Sequence, residues 1–453
     1  MPINKFLSGW GRYPVIEARE EFPKSRRQAV ELSALSHFPR GQGRSYGDAG
    51  LPAGGAFALN SSYLDHYLFF DPVSGVLDVE AGITLDRILR FCVPQGFFLP
   101  VTPGTRFVSL GGALASNVHG KNHHRTGSIE HFVLDMEVQT PSGTFTCSPE
   151  QNRDLFRATL GGYGLTGFIT RVRLKLRPIQ TAKVECLRLQ SKSLEEMFRL
   201  FAKHDADYEY SVAWLDTLAR GRKLGRGILM LGNHAEVDPR QKSPLTDKNR
   251  NPQPRREPSK FAVPFAMPDF ILNPTLLAQF NRAFYLFSKK GGSAREDYES
   301  FFYPLDRIQN WNLLYGKSGF LQYQCVIPDP RGEEGVLACL HFLSENRLGA
   351  FLSILKRCGD DKVMLPFCKR GYTLALDIPF RGGDTLKLLD RLDELVLKYE
   401  GRVYLTKDAR LGPETFRNMY PEYKGWMETV RRYNPEGKNS SRMAERLGLW
   451  KES

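Results

Sequence analysis

Lys407 follows the run RVYLT and stands beside Asp408, where an ammonium is able to stabilise negative charge developing on a flavin ring or a sugar alkoxide. Taken alone, it reads equally as half of a surface ion pair. In FLQYQCVIP the two-residue period of an extended chain puts Gln322 and Gln324 on one side, together with Phe320 and Val326. Carboxamides are costly to bury without partners, so this pair either faces water or hydrogen-bonds a polyhydroxylated ligand. The same alternation groups Thr373, Ala375 and Asp377 in GYTLALDIP, and Lys356 ends the neighbouring run GAFLSILKR, so the three runs together make a polar pocket wall. Trp214, in YEYSVAWLD, supplies either an apolar floor to such a pocket or an ordinary core contact.

A second set of residues brings bare backbone to a ligand. From Pro103 to His124 the chain reads PGTRFVSLGGALASNVHGKNHH; Gly104, Gly111, Gly112 and Gly120 remove Cβ atoms, while Ser109, Ser116 and Asn117 offer amide and hydroxyl donors. In RGQGRSYGD, Arg40 to Asp48, the N–H groups near Gly41, Gly43 and Gly47 converge on an anion, and Arg40 and Arg44 add positive charge, as a diphosphate requires. A third turn, GGYGLTG at 161–167, runs into the alternating strand FITRVRLKLRP. Each of these is also compatible with a plain connection between buried strands. None is GxGxxG opening a helix or GxxxxGK[ST], so a Rossmann site and a P-loop are not the natural readings. His119, Lys121, His123 and His124 crowd one turn, but without HExxH and with a lysine among them; no metal is expected.

These segments need elements to hold them. The stripe Leu85, Ile88, Leu89 and Cys92 predicts a helix over 84–93. Character shifts near Pro178 to Ala182, after which Ser193 and Glu196 form a capping-box pattern ahead of Leu194, Met197, Phe198 and Phe201. Strands are expected at 208–216, 320–328, 349–357 and 371–379, with helix-length connections: an α+β class, its antiparallel sheet carrying helices on one face. A helix over 384–400 is expected to stop with Gly401 as its C-cap and to lead into a strand over RVYLTKD. The proline-rich, charged stretch between 235 and 274 reads either as a mobile flap or as a surface insertion without a role.

At 453 residues the chain is long enough for two domains, and 63 Lys plus Arg against 50 Asp plus Glu favour anionic partners. The positive residues scatter rather than form one block, which argues against a nucleic-acid arm. Seven cysteines without a CxxC pair suggest neither a disulfide framework nor a cysteine zinc site, and fit a reducing compartment. Neither a signal peptide nor a membrane-spanning run is apparent, so a cytoplasmic protein, or one peripheral on the inner membrane, is expected.

RGQGRSYGD, DVEAGITLDRIL, the Pro103–His124 stretch and GGYGLTGFITRVRLKLRP, in that order, resemble the FAD domain of vanillyl-alcohol-oxidase-type, or PCMH-type, flavoproteins. More narrowly, HGKNHH, KLGRG at 223–227, FYPLD at 302–306, GFLQYQCVIP and VYLTKDAR resemble the decaprenylphosphoryl-β-D-ribose 2-oxidase family. The resemblance implies a two-domain fold: an FAD-binding domain over 1–178, a substrate domain over 179–403, and a return to the first over 404–453. It implies FAD held by Arg40, Gly41, Gln42, Gly43, Arg44, Ser45, Tyr46, Gly47 and Asp48; by Gly104, Thr105, Ser109, Leu110, Gly111, Gly112, Ser116, Asn117, Val118, His119 and Gly120; and by Ile169, Tyr404 and Lys407. Lys121, Gln322, Gln324 and Lys356 would line the sugar-phosphate pocket, beside Trp214, Thr373 and Asp377, with Lys407 and Gln324 essential. Arg44 stands where some relatives attach FAD through a histidine, so the implied FAD is non-covalent.

The implied reaction is hydride transfer from a secondary hydroxyl of a polyprenyl-phosphate-linked sugar to flavin N5, opening a ribose-to-arabinose epimerisation that a separate short-chain reductase completes. Ala375, Thr373 and Phe302 stand where the actinobacterial enzymes have cysteine, asparagine and tyrosine, which leaves the sugar open. An alditol or aldonolactone oxidase of the same superfamily is the enzymatic alternative, and a basic nucleic-acid-binding protein the alternative of another class.

Overall fold

The computed structural model describes residues 3–33, 37–237, 261–268, 272–288 and 292–451. Most of the proline-rich stretch expected to form a flap therefore lies outside the described residues. The amino-terminal third builds two sheets. One runs in the order Ile3–Ser8, Val15–Glu21, Phe57–Asn60 and His37–Arg40, the last two being parallel, so that the RGQGRSYGD loop leaves directly from a strand end. The other is antiparallel, in the order Tyr67–Asp71, Val76–Glu80, Phe168–Lys175, Val133–Thr140 and Gly143–Cys147. Thr84 accepts from the Arg87 N–H and caps the helix Leu85–Cys92, whose predicted stripe of Leu85, Ile88, Leu89 and Cys92 is buried with Leu77, Val79, Met136 and Val172.

The remainder centres on one eight-stranded sheet in which every neighbouring pair is antiparallel, ordered Ser293–Asp297, Lys183–Ser191, Gly227–His234, Tyr210–Leu215, Ser353–Cys358, Gly371–Pro379, Phe320–Pro328 and Arg402–Val403. Alternation decides its two faces. Leu321, Tyr323, Cys325 and Ile327 join Leu374, Leu376 and Ile378 against the helices Leu194–His204, Gly332–Glu345 and Gly383–Lys398. Each fully buried leucine there contributes about 2 kcal/mol of hydrophobic stabilisation. A one-residue slip would turn these side chains to the other face, so the apolar set fixes the register that presents Gln322 and Gln324 opposite the helices.

Local expectations are corrected in three places. The strand expected over 349–357 occupies Ser353–Cys358. The residue in the left-handed region after the long helix is Glu400, at φ 58°, rather than Gly401. Gly401 instead has no room for a Cβ, which would lie 2.6 Å from the Val326 carbonyl oxygen. The strand expected over 402–408 ends at Val403 after pairing with Cys325 and Val326, because the chain then turns, Lys407 N–H donating to Tyr404 O at 2.9 Å. Beyond this turn the chain packs back onto the amino-terminal part: Trp426 donates to Ala158 O, Asn434 to Leu165 O, and Arg446 pairs with Asp48.

Candidate active site

A cleft of about 1770 Å³, counting the part open to solvent, lies between the glycine loops and the polar face of the eight-stranded sheet. On the loop side it is lined by Arg40, Gly41, Gln42, Gly43, Arg44, Ser45 and Tyr46, by Gly104, Thr105, Ser109, Gly111, Gly112, Ser116, Val118 and His119, and by Ile169. On the sheet side are Gln322, Gln324, Ile354, Lys356 and Ala375, with Tyr404, Thr406 and Lys407 at the end.

The absence of side chains is enforced. A Cβ on Gly41 would run into Ser109 Oγ, and Gly43 sits at φ 62°. Gly111 donates its N–H to Ala81 O at 2.7 Å, and a Cβ there would lie 3.1 Å from that residue. Ser109 accepts from the Gly112 N–H and caps the short helix Leu110–Ala115. Arg40 does not offer its guanidinium to a ligand: it donates to Gly50 O at 2.7 Å and Ser8 O at 2.9 Å and pairs with buried Glu20, so it holds the loop in shape. Arg44 stacks over the Trp10 ring at 4.0 Å.

Lys407 reaches the cleft because the carboxy-terminal turn lies along the first glycine loop. Tyr46 N–H donates to Thr406 O at 3.1 Å, and Asp48 N–H to Asp408 O at 3.4 Å. The Lys407 ammonium stands 3.8 Å from the Tyr46 ring centroid. Burial, aided by Lys356 and opposed by Asp377, pushes Lys407 down to about 7. Asp377 is fully buried, accepts from Gln322 Nε2 at 2.5 Å through one oxygen, and is raised by burial to about 7; its other oxygen has no partner. Two groups with complementary charge changes thus meet near neutrality.

Several residues singled out in the sequence lie behind the cleft rather than on its surface. Lys121 donates to Phe301 O and lies 4.3 Å from the Phe301 ring, on the far side of the histidine turn. Trp214 is a core residue packed on Phe284 at 4.8 Å. Gly47 abuts Asp408, Asp48 bonds Arg446, Leu110 is in the core, Asn117 donates to Glu130, and Gly120 fits against Thr102 and Asn122. Thr373 and Asp377 support Gln324 and Gln322 from beneath. Sequence reasoning missed Trp10, Ser61, Ala81, Tyr163, Leu305, Asp306 and Trp311, all on the lining. Leu305 and Asp306, inside FYPLD, Tyr163, inside GGYGLTG, and Ala81, inside DVEAGITLDRIL, carried a local signal.

The FAD binding domain family matches residues 27–148. Decaprenylphosphoryl-beta-D-ribose oxidase of Mycolicibacterium smegmatis is 33% identical over 463 residues, covering 98% of this chain and 98% of its own length. The chain belongs to the decaprenylphosphoryl-ribose oxidase family. The mitochondrial D-2-hydroxyglutarate dehydrogenase of Arabidopsis thaliana is 28% identical over 177 residues, 37% of this chain and 30% of its own. Cytokinin dehydrogenase 9 of Oryza sativa subsp. japonica is 32% identical over 151 residues, 33% and 29% respectively.

As a member of the decaprenylphosphoryl-ribose oxidase family, this protein is an FAD-dependent oxidoreductase with the PCMH-type fold, and its cleft fits that cofactor. The glycines open one wall to a flat ring system. His119 Nδ1 and Thr406 Oγ1 are buried without a hydrogen-bond partner in residues that line it, as donors awaiting a polar ligand would be. Among the described residues, no helix is long and apolar enough to cross a membrane.

Proposed function

We propose that this enzyme oxidises a secondary hydroxyl, the C2 hydroxyl of ribose, on a polyprenyl-phosphate-linked pentose to a ketone. The observation that carries the proposal is the convergence of Gln322, Gln324, Lys356 and Lys407 on one side of the cleft, opposite the glycine loops. Two adjacent carboxamides suit a polyhydroxylated ring, and Lys356 suits an attached phosphate. The name and near-complete coverage of the Mycolicibacterium smegmatis relative support the choice of sugar and carrier.

Bound FAD supplies the two-electron acceptor for the carbinol hydride. The chain's own residues do the rest. Gln322 and Gln324 orient the ring, each fixed from below by Asp377 or Thr373. Lys407, poised near neutrality, stabilises the alkoxide as its proton leaves to water, and Asp377, buried beneath Gln322, favours the charged form of that lysine.

A ketone adjacent to the anomeric carbon is the proper substrate for a pyridine-nucleotide reductase acting from the opposite face, so a short-chain reductase partner completes an epimerisation to arabinose. The lipid-linked substrate is taken from a membrane surface by peripheral contact. The test is anaerobic turnover with decaprenylphosphoryl-ribose followed by borodeuteride trapping. Deuterium at C2 is the expected result; turnover of free alditols or aldonolactones in its place would overturn the reading in favour of a soluble-sugar oxidase.

A further inference from the structure

Behind the cleft wall, three side chains far apart in sequence meet in the core: His123, Cys358 and Cys368 are 1%, 2% and 1% exposed, and their ligand atoms all lie within 4.8 Å of one another. We propose that they form a binding site for a thiophilic divalent cation, zinc being the natural occupant. The histidine-rich turn and the two cysteines each look uninformative alone, because the site is assembled across the fold. His123 comes from the turn after the second glycine loop, whereas both cysteines flank residues 359–367 between the strands Ser353–Cys358 and Gly371–Pro379.

Ligand type and surroundings agree with this occupant. Imidazole nitrogen with thiolate sulfur is the donor set zinc takes in structural sites, and three protein ligands leave one tetrahedral position for water. Both His123 nitrogens have partners: Nε2 meets Asp361 Oδ1 and Ser128 Oγ, each at 3.1 Å, and Nδ1 accepts the Gly359 N–H at 3.0 Å. Coordination through Nδ1 takes the place of that N–H contact at the strand end that carries Cys358, while Nε2 keeps its proton toward Asp361. Asp361 completes a carboxylate–histidine support, accepting also from Ser128 Oγ at 2.6 Å and from the Cys368 N–H at 2.8 Å. A dication with two thiolates and a neutral imidazole carries no net charge, which a buried position tolerates. Phe367, next to Cys368, stacks on Tyr404 at 4.4 Å and lies 5.5 Å from His119, so a filled site would stiffen the wall behind two cleft residues.

The test uses tag-free holoenzyme, stripped with chelator and titrated with zinc alone against a chromophoric competitor, with melting temperature as a second readout. About one zinc per chain and a higher melting temperature are expected, with at least a tenfold loss of affinity in Cys358→Ser/Cys368→Ser. Should that variant not fold, cadmium added to the wild-type protein must give the ultraviolet thiolate-to-metal absorption. No stoichiometric zinc and no cadmium band, or a Cys358–Cys368 disulfide in the native peptide map, would overturn the site.

Discussion

Gln324 Nε2 lies 2.9 Å from His119 Nε2, joining the substrate-facing sheet to the second glycine loop across 205 residues of sequence. The same amide nitrogen donates to Thr373 Oγ1 at 3.2 Å, and that hydroxyl donates onward to Cys325 O at 2.9 Å. An amide N–H₂ requires an acceptor, so His119 holds its proton on Nδ1, the atom left buried without a partner. Burial, then Lys356, keeps this imidazole well below its ordinary pKa and therefore neutral.

Gln324→Leu leaves His119 without this donor and removes one of the two ring-orienting amides. We expect kcat/KM to fall about ten- to a hundredfold with FAD still bound, read by steady-state kinetics and the visible flavin spectrum. Loss of flavin at unchanged kcat/KM per bound FAD would show that Gln324 is structural only.

FAD should be fully dissociable. Arg44, stacked on Trp10, stands where the family resemblance would place a linking histidine. Acid precipitation is expected to leave all flavin in the supernatant; colour retained in the pellet would contradict this.

The first glycine loop and the carboxy-terminal turn form one joint at Gly47, where a Cβ would strike the Asp408 carbonyl. Gly47→Ala should cost about 1–3 kcal/mol and lower the melting temperature by a few degrees. It should also weaken FAD, since displaced Asp408 carries Lys407 with it. Calorimetry and flavin titration check both.

That joint also marks how far the sequence could be read. The two faces of Phe320–Pro328 and Gly371–Pro379 were legible because an apolar period of two leaves one registration. Backbone-exposing loops were legible because glycine spacing is itself the signal. Trp10, Ser61 and Trp311 were not, because their place on the lining comes from strand order and chain crossing. Lys121 misled for the opposite reason: its motif is local, but Ser211 N–H donates to its carbonyl and its side chain is drawn to Phe301.

Burial lowers Lys121 from 10.5 to about 7. Between those values the unfolded chain binds a proton that the folded one releases, so this residue makes wild-type stability rise with pH across that window. Lys121→Met removes the dependence. The melting-temperature difference, variant minus wild type, should be largest at and below about pH 7 and shrink towards about pH 10. A difference constant with pH would contradict the burial argument.

Activity should titrate near neutrality. Asp377, raised to about 7, gains charge as pH rises, while Lys407, lowered to about 7, loses it; the apparent values belong to the pair. Asp377→Asn is expected to abolish the acid limb of the kcat/KM profile, and Lys407→Arg to move the alkaline limb upward. A wild-type profile flat from about pH 6 to 9 would exclude both roles.

The most direct measurement is anaerobic stopped-flow reduction of the bound flavin by decaprenylphosphoryl-ribose, in wild type and in Lys407→Ala. The wild-type flavin should bleach within the turnover time, and the variant, carrying a full complement of FAD, should bleach about 10²–10³-fold more slowly. Wild-type flavin that stays oxidised, or a variant that bleaches at the wild-type rate, would contradict the assignment.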